Sequence, residues 1–590
     1  VKIRSEIYTD YLEQIKENYN QSLGLRIEEL AVLRPSQAAV VCQEETLTYE
    51  ELNHRANRYA AYFNTAGYSR GDVVALMMDN SASMIAAVIG LSKLGIISAL
   101  LNTTLRAEGL ARDINLCDAR AILIGSQFIE PLEKAKDFIR LRDPGEMLVY
   151  RLDSENMELP AEMKNIKEAL PQHVDNPTST SSIKYFEILA YLFTAGSGGH
   201  RKTVPMTHIR WLVAGKAIEA FTDLNENRTQ YMCLPLYMSS GFNACFAGTV
   251  AAGSTLVVAQ KFSASNFWNE IIRSEADYFF GVGEMFRYLY NQERSEEEKS
   301  HSLEIIISNG MAEHLMEPFK KRFRVPHILE TYNTTENIGT FINTEEIPGM
   351  CGNLELAGIR QGELVLYDIM NDKIITDQEG RAMKCARDDV GLLLCAIYDY
   401  NDFAGYINDP GEREAVILRD VFTPGDKYFN TNDLMQLHDQ DYISFVQRLG
   451  GVYRWKGRTI SAYKVSDVIK KFFGAIDDAY VFSEPIPGFE GACGMAVITL
   501  IEGEKLNWKK FNNYIKRRLP VHERPLFLRI SKEEFLDEEL KQQYREEGAN
   551  PRNIAGDSPD ELYVYDVIQE QYIELTEEIY EQIVNHEFVV

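Results

Sequence analysis

The chain has 590 residues, 45% of them hydrophobic, with 61 basic against 88 acidic residues and a formal net charge of −27. That length exceeds what one core carries, and the composition supports a large folded interior. The acidic balance argues against nucleic acid or an anionic membrane as the main partner, while leaving room for a phosphorylated small ligand held by a local basic site.

The opening stretch, VKIRSEIYTDYLEQIKENY, lacks the apolar core of a signal peptide. No apolar run is long enough for a membrane span, and MIAAVIGLSKLGIISALL is interrupted by Lys93. The eight cysteines are isolated, with no CxxC pair. Buried thiols in a reducing compartment fit that spacing, and a structural zinc site does not. A soluble, cytoplasmic protein is the expectation.

In chain order, a helix is predicted from Tyr8 to about Tyr19, then a strand over Ala38-to-Val41 with ETLTYE as its hairpin partner. Thr48 and Glu51 form a capping-box pattern ahead of a helix, with Tyr49 as its staple. DVVALMMDN, IISALLN and RAILIG read as buried strands, with helices over SASMIAAVIGLSKLG and ARDINLCDA between them. Strands and helices alternating at short spacing indicate a mainly parallel sheet. DNPTSTSS is a linker, and KYFEILAYLF after it reads as helix-like. A second α/β layer follows, with strands over YMCLPL, STLVVA, DYFFGV, EIIISNG and HILETY. From Gly391 the chain becomes strand-rich, as in a small barrel or meander. Gly450 and Gly451 make a hinge signal. Beyond them lies a compact α+β unit with an acidic tail that is helical over LTEEIYEQIVNHE. The expected fold is therefore α/β. A large composite N-terminal domain (1–448) holds two α/β subdomains and a small β-barrel-like subdomain, and a small mobile α+β domain spans 449–590.

The stretch FTAGSGGHRKTVPMTH, from Phe193 to His208, places three glycines within four residues, followed by Arg201, Lys202 and Thr203. A mononucleotide P-loop needs glycine directly before its lysine, and Arg201 stands there, so that reading fails. Glycine N–H groups can still converge on an anion, with hydroxyls from Thr194, Ser197 and Thr203 and charge from Arg201 and Lys202. A polar surface turn with solvated charges is the alternative.

This loop resembles the first signature of the adenylate-forming superfamily, roughly [YF]TSGTTGxPK. DVVALMMDN…GLSKLGIISALLNTTLR, KFSASNFWNEI, GVGEMFRYLYNQ and YRWKG resemble its fatty acid transport protein and very-long-chain acyl-CoA synthetase branch. The similarity runs from about Leu30 to about Gly548, without that branch's N-terminal membrane segment. The resemblance implies an ATP- and magnesium-dependent ligase. Such an enzyme activates a carboxylic acid or similar oxyanion as its AMP adduct and passes it to CoA, a carrier-protein thiol or an amine.

Matching positions imply roles. Thr194, Gly196, Ser197, Gly198, Gly199 and Lys202 fall on the phosphate loop, where Gly198 and Arg201 replace a threonine and a proline. ETYNTTE resembles the YGxTE signature. It implies that Tyr332 stacks on adenine, Thr335 contacts phosphate and Glu336 holds magnesium, with Asn333 in place of glycine. Asn309 and Gly310 border the adenine. Asp433 accepts from the ribose hydroxyls and Arg448 reaches the same sugar or a phosphate. Lys456 belongs to an intact RWKG, beside which Gln447, Gly451 and Arg458 replace three acids. Trp455 also reads as plain core, and so does Met238, which stands at a histidine position bordering the acyl site. Phe242, Phe280 and Val282 are candidates for lining an acid pocket.

The largest departure is SKEEFLDEELKQQYREEG. Anchored on Arg545, Glu547 and Gly548, it puts Glu538 where relatives carry the lysine that reaches the carboxylate and α-phosphate. Lys541 or Lys532 restores a cation only with a gap. An acid there repels the triphosphate, at a cost of several orders of magnitude in the first step. A partner protein, or Lys456, Arg454, Arg517 or Arg518, are other sources of the missing charge. Two further readings therefore stand beside the active ligase. One is a catalytically degenerate homologue that binds nucleotide or acyl-adenylate as a partner or regulatory subunit, and the other an interaction protein with no nucleotide site.

Overall fold

The computed structural model describes residues 1–590 apart from 43–44, 143–145, 151–158, 196–200, 370, 404, 408–415, 450, 473–474, 490, 502, 534–537 and 555–559. Two α/β layers form its larger part. The first sheet orders its strands Met163–Asn165, Glu146–Tyr150, Ala121–Gly125, Val73–Met77, Ile97–Leu100, Ile188–Ala195 and Arg201–Thr207. All neighbours are parallel except the last pair. The second sheet runs Phe341–Ile342, His327–Tyr332, Ile305–Asn309, Tyr278–Val282, Thr229–Met232, Thr255–Val258, Ala38–Val41 and Thr46–Thr48, with antiparallel pairs only at its two edges. Beyond it lies a six-stranded antiparallel sheet built around Lys427–Leu437 and Tyr442–Arg448. The C-terminal unit is a five-stranded sheet with helices Ala462–Lys470, Trp508–Arg518, Glu538–Glu547 and Glu577–Val584.

Local signals act as their chemistry requires. The Thr48 hydroxyl accepts the Glu51 N–H at 3.2 Å, and the Glu51 carboxylate accepts the Thr48 N–H at 2.8 Å. This capping box starts the helix Tyr49–Thr65. Tyr49 is buried and its hydroxyl donates to the Ser254 carbonyl at 2.7 Å.

Two expectations need correction. KYFEILAYLF was expected as helix-like, yet Ile188–Ala195 is a strand. It pairs in parallel with Ile97–Leu100 and antiparallel with Arg201–Thr207. A strand covered on both faces is a continuous apolar run, which periodicity cannot separate from a buried helix. The acidic tail is more than a helix: Glu561–Asp566 and Gln571–Glu574 complete the C-terminal sheet before Glu577–Val584.

The helix Ala82–Lys93 crosses Tyr49–Thr65 closely because position 90 is glycine; a Cβ there would lie 2.4 Å from the Ala56 carbonyl oxygen. At its end Lys93 is wholly buried. Its ammonium donates to Glu28 at 2.9 Å, to the side-chain oxygens of Asn53 and Asn57 at 2.6 Å each, and to Asn176 at 3.3 Å. Burial pushes its pKa down to about 8, although Glu28 pulls it up. Among the described residues no helix is long and apolar enough to cross a membrane. None of the eight cysteines is in a disulfide.

The main core gathers buried side chains from Leu23 to Ile443, and a separate core gathers those from Tyr453 to Ile583. Between these units, Lys470 pairs with Glu284 at 2.9 Å and Arg287 with Asp477 at 3.3 Å.

Replacing Lys93 with methionine removes the buried ammonium and leaves the buried Asn57 oxygen and the half-buried Asn53 and Glu28 oxygens without it. Removing one partner of a buried charge network costs about 3–5 kcal/mol. Thermal melting of Lys93→Met is expected to show a lowered first transition; an unchanged melting curve would contradict the tie described.

Candidate functional site

Parallel strands deliver side chains side by side at their C-terminal ends, where α/β sheets open a crevice for ligands. In the second sheet Val282 pairs with Asn309, and Ser308 with Glu330. The segments that follow bring Gly310 and residues 333–336 to the same end. The antiparallel sheet adds Asp433 and Arg448, which are direct partners across its ladder.

Asp433 has no exposed surface. Arg448 grips it in a fork, Nε to Oδ1 at 2.7 Å and Nη2 to Oδ2 at 3.0 Å, while the other face of Arg448 is open to solvent. The Tyr332 hydroxyl also donates to Oδ2. These three donors leave one acceptor position on the carboxylate. Burial, then the neighbouring Asp433 charge, raises the Tyr332 phenol well above its ordinary range. The hydrogen bonds that Arg448 donates to Asp433 hold its guanidinium pKa above the ordinary range, against the opposing effect of burial. Tyr332 is thus nearly buried and tied by its hydroxyl, so stacking on a base requires its ring to turn outward.

A second cluster forms beside this one. Glu336 is buried, and its Oε1 accepts the Tyr406 hydroxyl at 2.7 Å. The Tyr406 ring lies under the Lys202 ammonium, 4.7 Å from the ring centre. Arg210, also buried, donates through Nη1 to the Pro205 carbonyl at 2.7 Å, and its guanidinium sits 5.4 Å from the Phe403 ring centre. Its Nε and Nη2 have no hydrogen-bond partner among the described residues. Burial lowers the Arg210 pKa to about 10, opposed by the charges of Glu336 and Asp402. The Asn337 amide donates to the Arg210 carbonyl at 3.2 Å and pins the loop carrying Thr335, which is half-buried.

Several expected residues therefore converge: Lys202, Tyr332, Glu336, Asp433 and Arg448. Thr194 is opposite Lys202 in the ladder that closes the first sheet. Gly196, Ser197, Gly198 and Gly199 lie outside the described residues. The Asn309 side chain reaches that of Asn333 at 3.5 Å, and Gly310 takes a left-handed φ of 88°. Its carbonyl crowds Gly283, where a Cβ would lie 2.1 Å away.

Other expectations are not met. Arg201, expected to neutralise phosphate, forms an ion pair with the buried Asp113 at 2.9 Å. Phe242 and Phe280 are core side chains without an open face for an acid pocket, whereas Val282 is half-buried at the site's edge. Met238 is exposed and is not core. Trp455 is packed, 5.8 Å from the Phe489 ring centre. Lys456 and Gly457 form the tip of the hairpin Val452–Trp455/Arg458–Ser461, both with positive φ, as in a type I′ turn. Its ammonium donates to the Val590 carbonyl and overlies Trp455 at 5.7 Å. It lines a cavity of about 240 Å³ whose walls all come from the C-terminal unit. In this arrangement Lys456 does not join the Asp433–Glu336 cluster.

Glu538 begins the helix Glu538–Glu547, and its side chain lies outside the described residues. The two lysines that a gap would bring in have other partners: Lys532 pairs with Glu561 at 3.0 Å, and Lys541 overlies the Tyr480 ring at 5.5 Å. Sequence reasoning missed Arg210, Tyr406 and Glu330. Arg210 and Tyr406 lie outside the quoted motifs, and Glu330, although it opens the ETYNTTE stretch, shows its role only through the Gly310 and Met311 amides 20 and 19 residues away.

Among the described residues no group of three or more His, Cys, Asp or Glu could hold a metal alone. Mg²⁺ binds through one or two carboxylates plus substrate phosphates; Glu336 is the buried carboxylate of this cluster, and the positive charge of Lys202 and Arg210 opposes a further cation unless phosphate oxygens accompany it.

A model of the family described as AMP-binding enzyme matches residues 27–361. Among curated proteins, long-chain fatty acid transport protein 6 of Mus musculus is 33% identical over 565 residues, covering 94% of this chain and 89% of its own length. The medium/long-chain-fatty-acid–CoA ligase FadD6 of Mycobacterium tuberculosis is 31% identical, covering 87% and 83%. Two solved structures share the fold. The anthranilate CoA ligase AuaEII in complex with anthranoyl-AMP has a TM-score of 0.70 at 16% identity, covering 88% of this chain and 94% of its own. The o-succinylbenzoate CoA synthetase of Bacillus subtilis with ATP and magnesium has a TM-score of 0.66 at 20% identity, covering 86% and 94%.

Tyr332→Phe removes one donor from a wholly buried carboxylate. The joint between the second sheet and the antiparallel sheet is expected to weaken by about 1–3 kcal/mol, seen as a lower melting temperature. Equal stability would show that the hydroxyl does not hold Asp433.

Proposed function

Because the chain belongs to the AMP-binding enzyme family, we propose that it is an ATP-dependent adenylate-forming ligase acting on a carboxylic acid, with CoA as the acceptor. The observation that carries this reading is the meeting of residues far apart in sequence and from three sheets: Lys202 from the first, Glu336 from beyond the end of the second, and Asp433 and Arg448 from the antiparallel sheet, with Tyr406 linking Lys202 to Glu336 and the Glu336 charge acting on Arg448. The name of the mycobacterial relative, a fatty-acid–CoA ligase, supports CoA as the acceptor.

The chemistry runs in two steps. A carboxylate oxygen of the acid attacks the α-phosphorus of ATP. The bond to the bridging oxygen of the β-phosphate breaks, and pyrophosphate leaves with that electron pair. The acceptor thiol then attacks the acyl carbon, AMP departs and the thiol proton is lost. Lys202 supplies positive charge to the phosphate chain, from a position fixed by Tyr406. Glu336 would hold Mg²⁺, which when bound neutralises charge on the phosphate oxygens. Asp433 takes the ribose hydroxyls. With three donors already on it, a diol binds by displacing the Tyr332 hydroxyl, which frees the ring to lie against adenine. Thr194, Ser197, Thr335 and the glycines 196, 198 and 199 cradle phosphate; Asn309 and Gly310 border the base.

We place the domain division at 448/449, supported by the separation of the two cores between Ile443 and Tyr453. The ion pairs across it, Lys470–Glu284 and Arg287–Asp477, are partly open to solvent and individually weak, so they permit the C-terminal unit to move. That movement is what lets Lys456, or a cation supplied by a partner protein, reach a site where Glu538 replaces lysine. Eight cysteines without a disulfide support a cytoplasmic location.

Pyrophosphate release, screened across carboxylic acids, other oxyanions and CoA or amine acceptors, tests this directly. Lys202→Ala and Asp433→Ala are each expected to lower kcat/KM by about 100-fold or more. Activity that survives both substitutions would overturn the site. Nucleotide binding without pyrophosphate release would select the degenerate-homologue reading instead.

A further inference from the structure

Glu330 is a buried carboxyl for which the proposed reaction has no use. It sits on the strand His327–Tyr332, two residues before Tyr332. Its Oε1 accepts the N–H groups of both Gly310 and Met311, the latter at 3.1 Å. These belong to the segment that leaves Ile305–Asn309, the neighbouring parallel strand. Gly310 is clamped from the other side, where its carbonyl presses on Gly283, and it holds a φ of 88°. The segment is thus gripped by a carboxylate on one flank and a side-chain-free approach on the other.

The remaining oxygen, Oε2, is buried beside the buried hydroxyl of Ser308, directly across the ladder; among the described residues neither makes a well-formed hydrogen bond, but the hydroxyl is close enough to favour the charged carboxylate. Cys351 also faces the carboxyl, and its thiol is pushed up by burial and by the Glu330 charge. Among the described residues no lysine or arginine is recorded against Glu330. Burial drives its pKa up to about 7, while Ser308 and the two amides pull it only part of the way back.

We propose that Glu330 is a positioning residue for the nucleotide site: its carboxylate, holding the Gly310 and Met311 amides, fixes the segment that borders the bound base. This rests on the reading of Asn309 and Gly310 as the base-bordering rung. An ionised carboxylate grips an N–H roughly twice as strongly as a neutral one. The segment therefore tightens as pH rises through neutrality. Fold stability responds in the opposite sense. A carboxyl raised from 4.5 to about 7 contributes stability at low pH that is lost as pH rises through its folded pKa.

The test compares wild type, Glu330→Gln and Ser308→Ala between pH 6 and 8.5. AMP binding by calorimetry is expected to strengthen with pH in wild type. In Glu330→Gln it is expected to be weaker by about tenfold at pH 8 and flat with pH. Glu330→Gln should also melt higher than wild type at pH 8, with the difference shrinking towards pH 6. Ser308→Ala keeps the carboxylate but removes a group that favours its ionisation, so its binding midpoint should move to higher pH. A Glu330→Gln protein with wild-type affinity and wild-type pH slope overturns the proposal.

Failure of the ligase reading looks different: wild type itself binds no AMP at any pH. Hydrogen exchange at the Gly310 and Met311 amides, corrected for intrinsic rate, then decides. Protection that rises with pH in wild type and not in Glu330→Gln sustains the grip on the segment, and equal protection in both overturns it.

Discussion

The fork of Arg448 on the buried Asp433 joins the parts of the large domain. Both residues belong to the antiparallel sheet, and the third donor, Tyr332, ends the strand next to the edge of the second sheet. Burying a carboxylate is costly unless donors hold it, and three hold this one. The register of the antiparallel ladder and its seating on the α/β layer are therefore coupled through one side chain. The same group is where a ribose diol would compete with the tyrosine, so ligand entry and the joint between layers draw on a single carboxylate.

Charge at the neighbouring cluster follows the same logic. Glu336 lies between the Tyr406 hydroxyl and the buried Arg210, whose two unsatisfied N–H groups keep positive potential inside the protein. An acidic chain can in this way present a cationic floor to a polyanion. Lys202 stands over Tyr406 at the edge of that floor. Arg201, one residue away, is drawn to Asp113 instead. Alternation along a strand sends adjacent side chains to opposite faces, so two neighbouring basic residues serve different purposes.

Much of the fold was legible. The alternation of apolar runs with amphipathic helices predicted two α/β layers, and Thr48 with Glu51 marked a helix start to the residue. The resemblance of four stretches to the adenylate-forming signatures brought out Lys202, Glu336, Asp433 and Arg448. KYFEILAYLF misled because a strand buried on both faces has no alternation to read. The strands at Glu561–Asp566 and Gln571–Glu574 were hidden in an acidic tail, because they lie at the outer edge of their sheet, where solvent tolerates charge.

The sequence by itself determined the class of fold and the order of the glycine-rich and polar motifs, which are properties of local composition and spacing that a linear chain carries in full. The roles of those motifs, and the expected departure at Glu538, came from the resemblance to the adenylate-forming family. Only the tertiary structure decided that Tyr332 is tied to Asp433, that Arg210 and Tyr406 flank Glu336, that Lys456 sits on a hairpin tip inside the C-terminal unit, and that Glu330 grips the segment at Gly310. The reason is that each of these depends on burial and on a partner 20 to more than 100 residues away. Desolvation, which sets the strength of every such pair, exists only once the layers have closed over it.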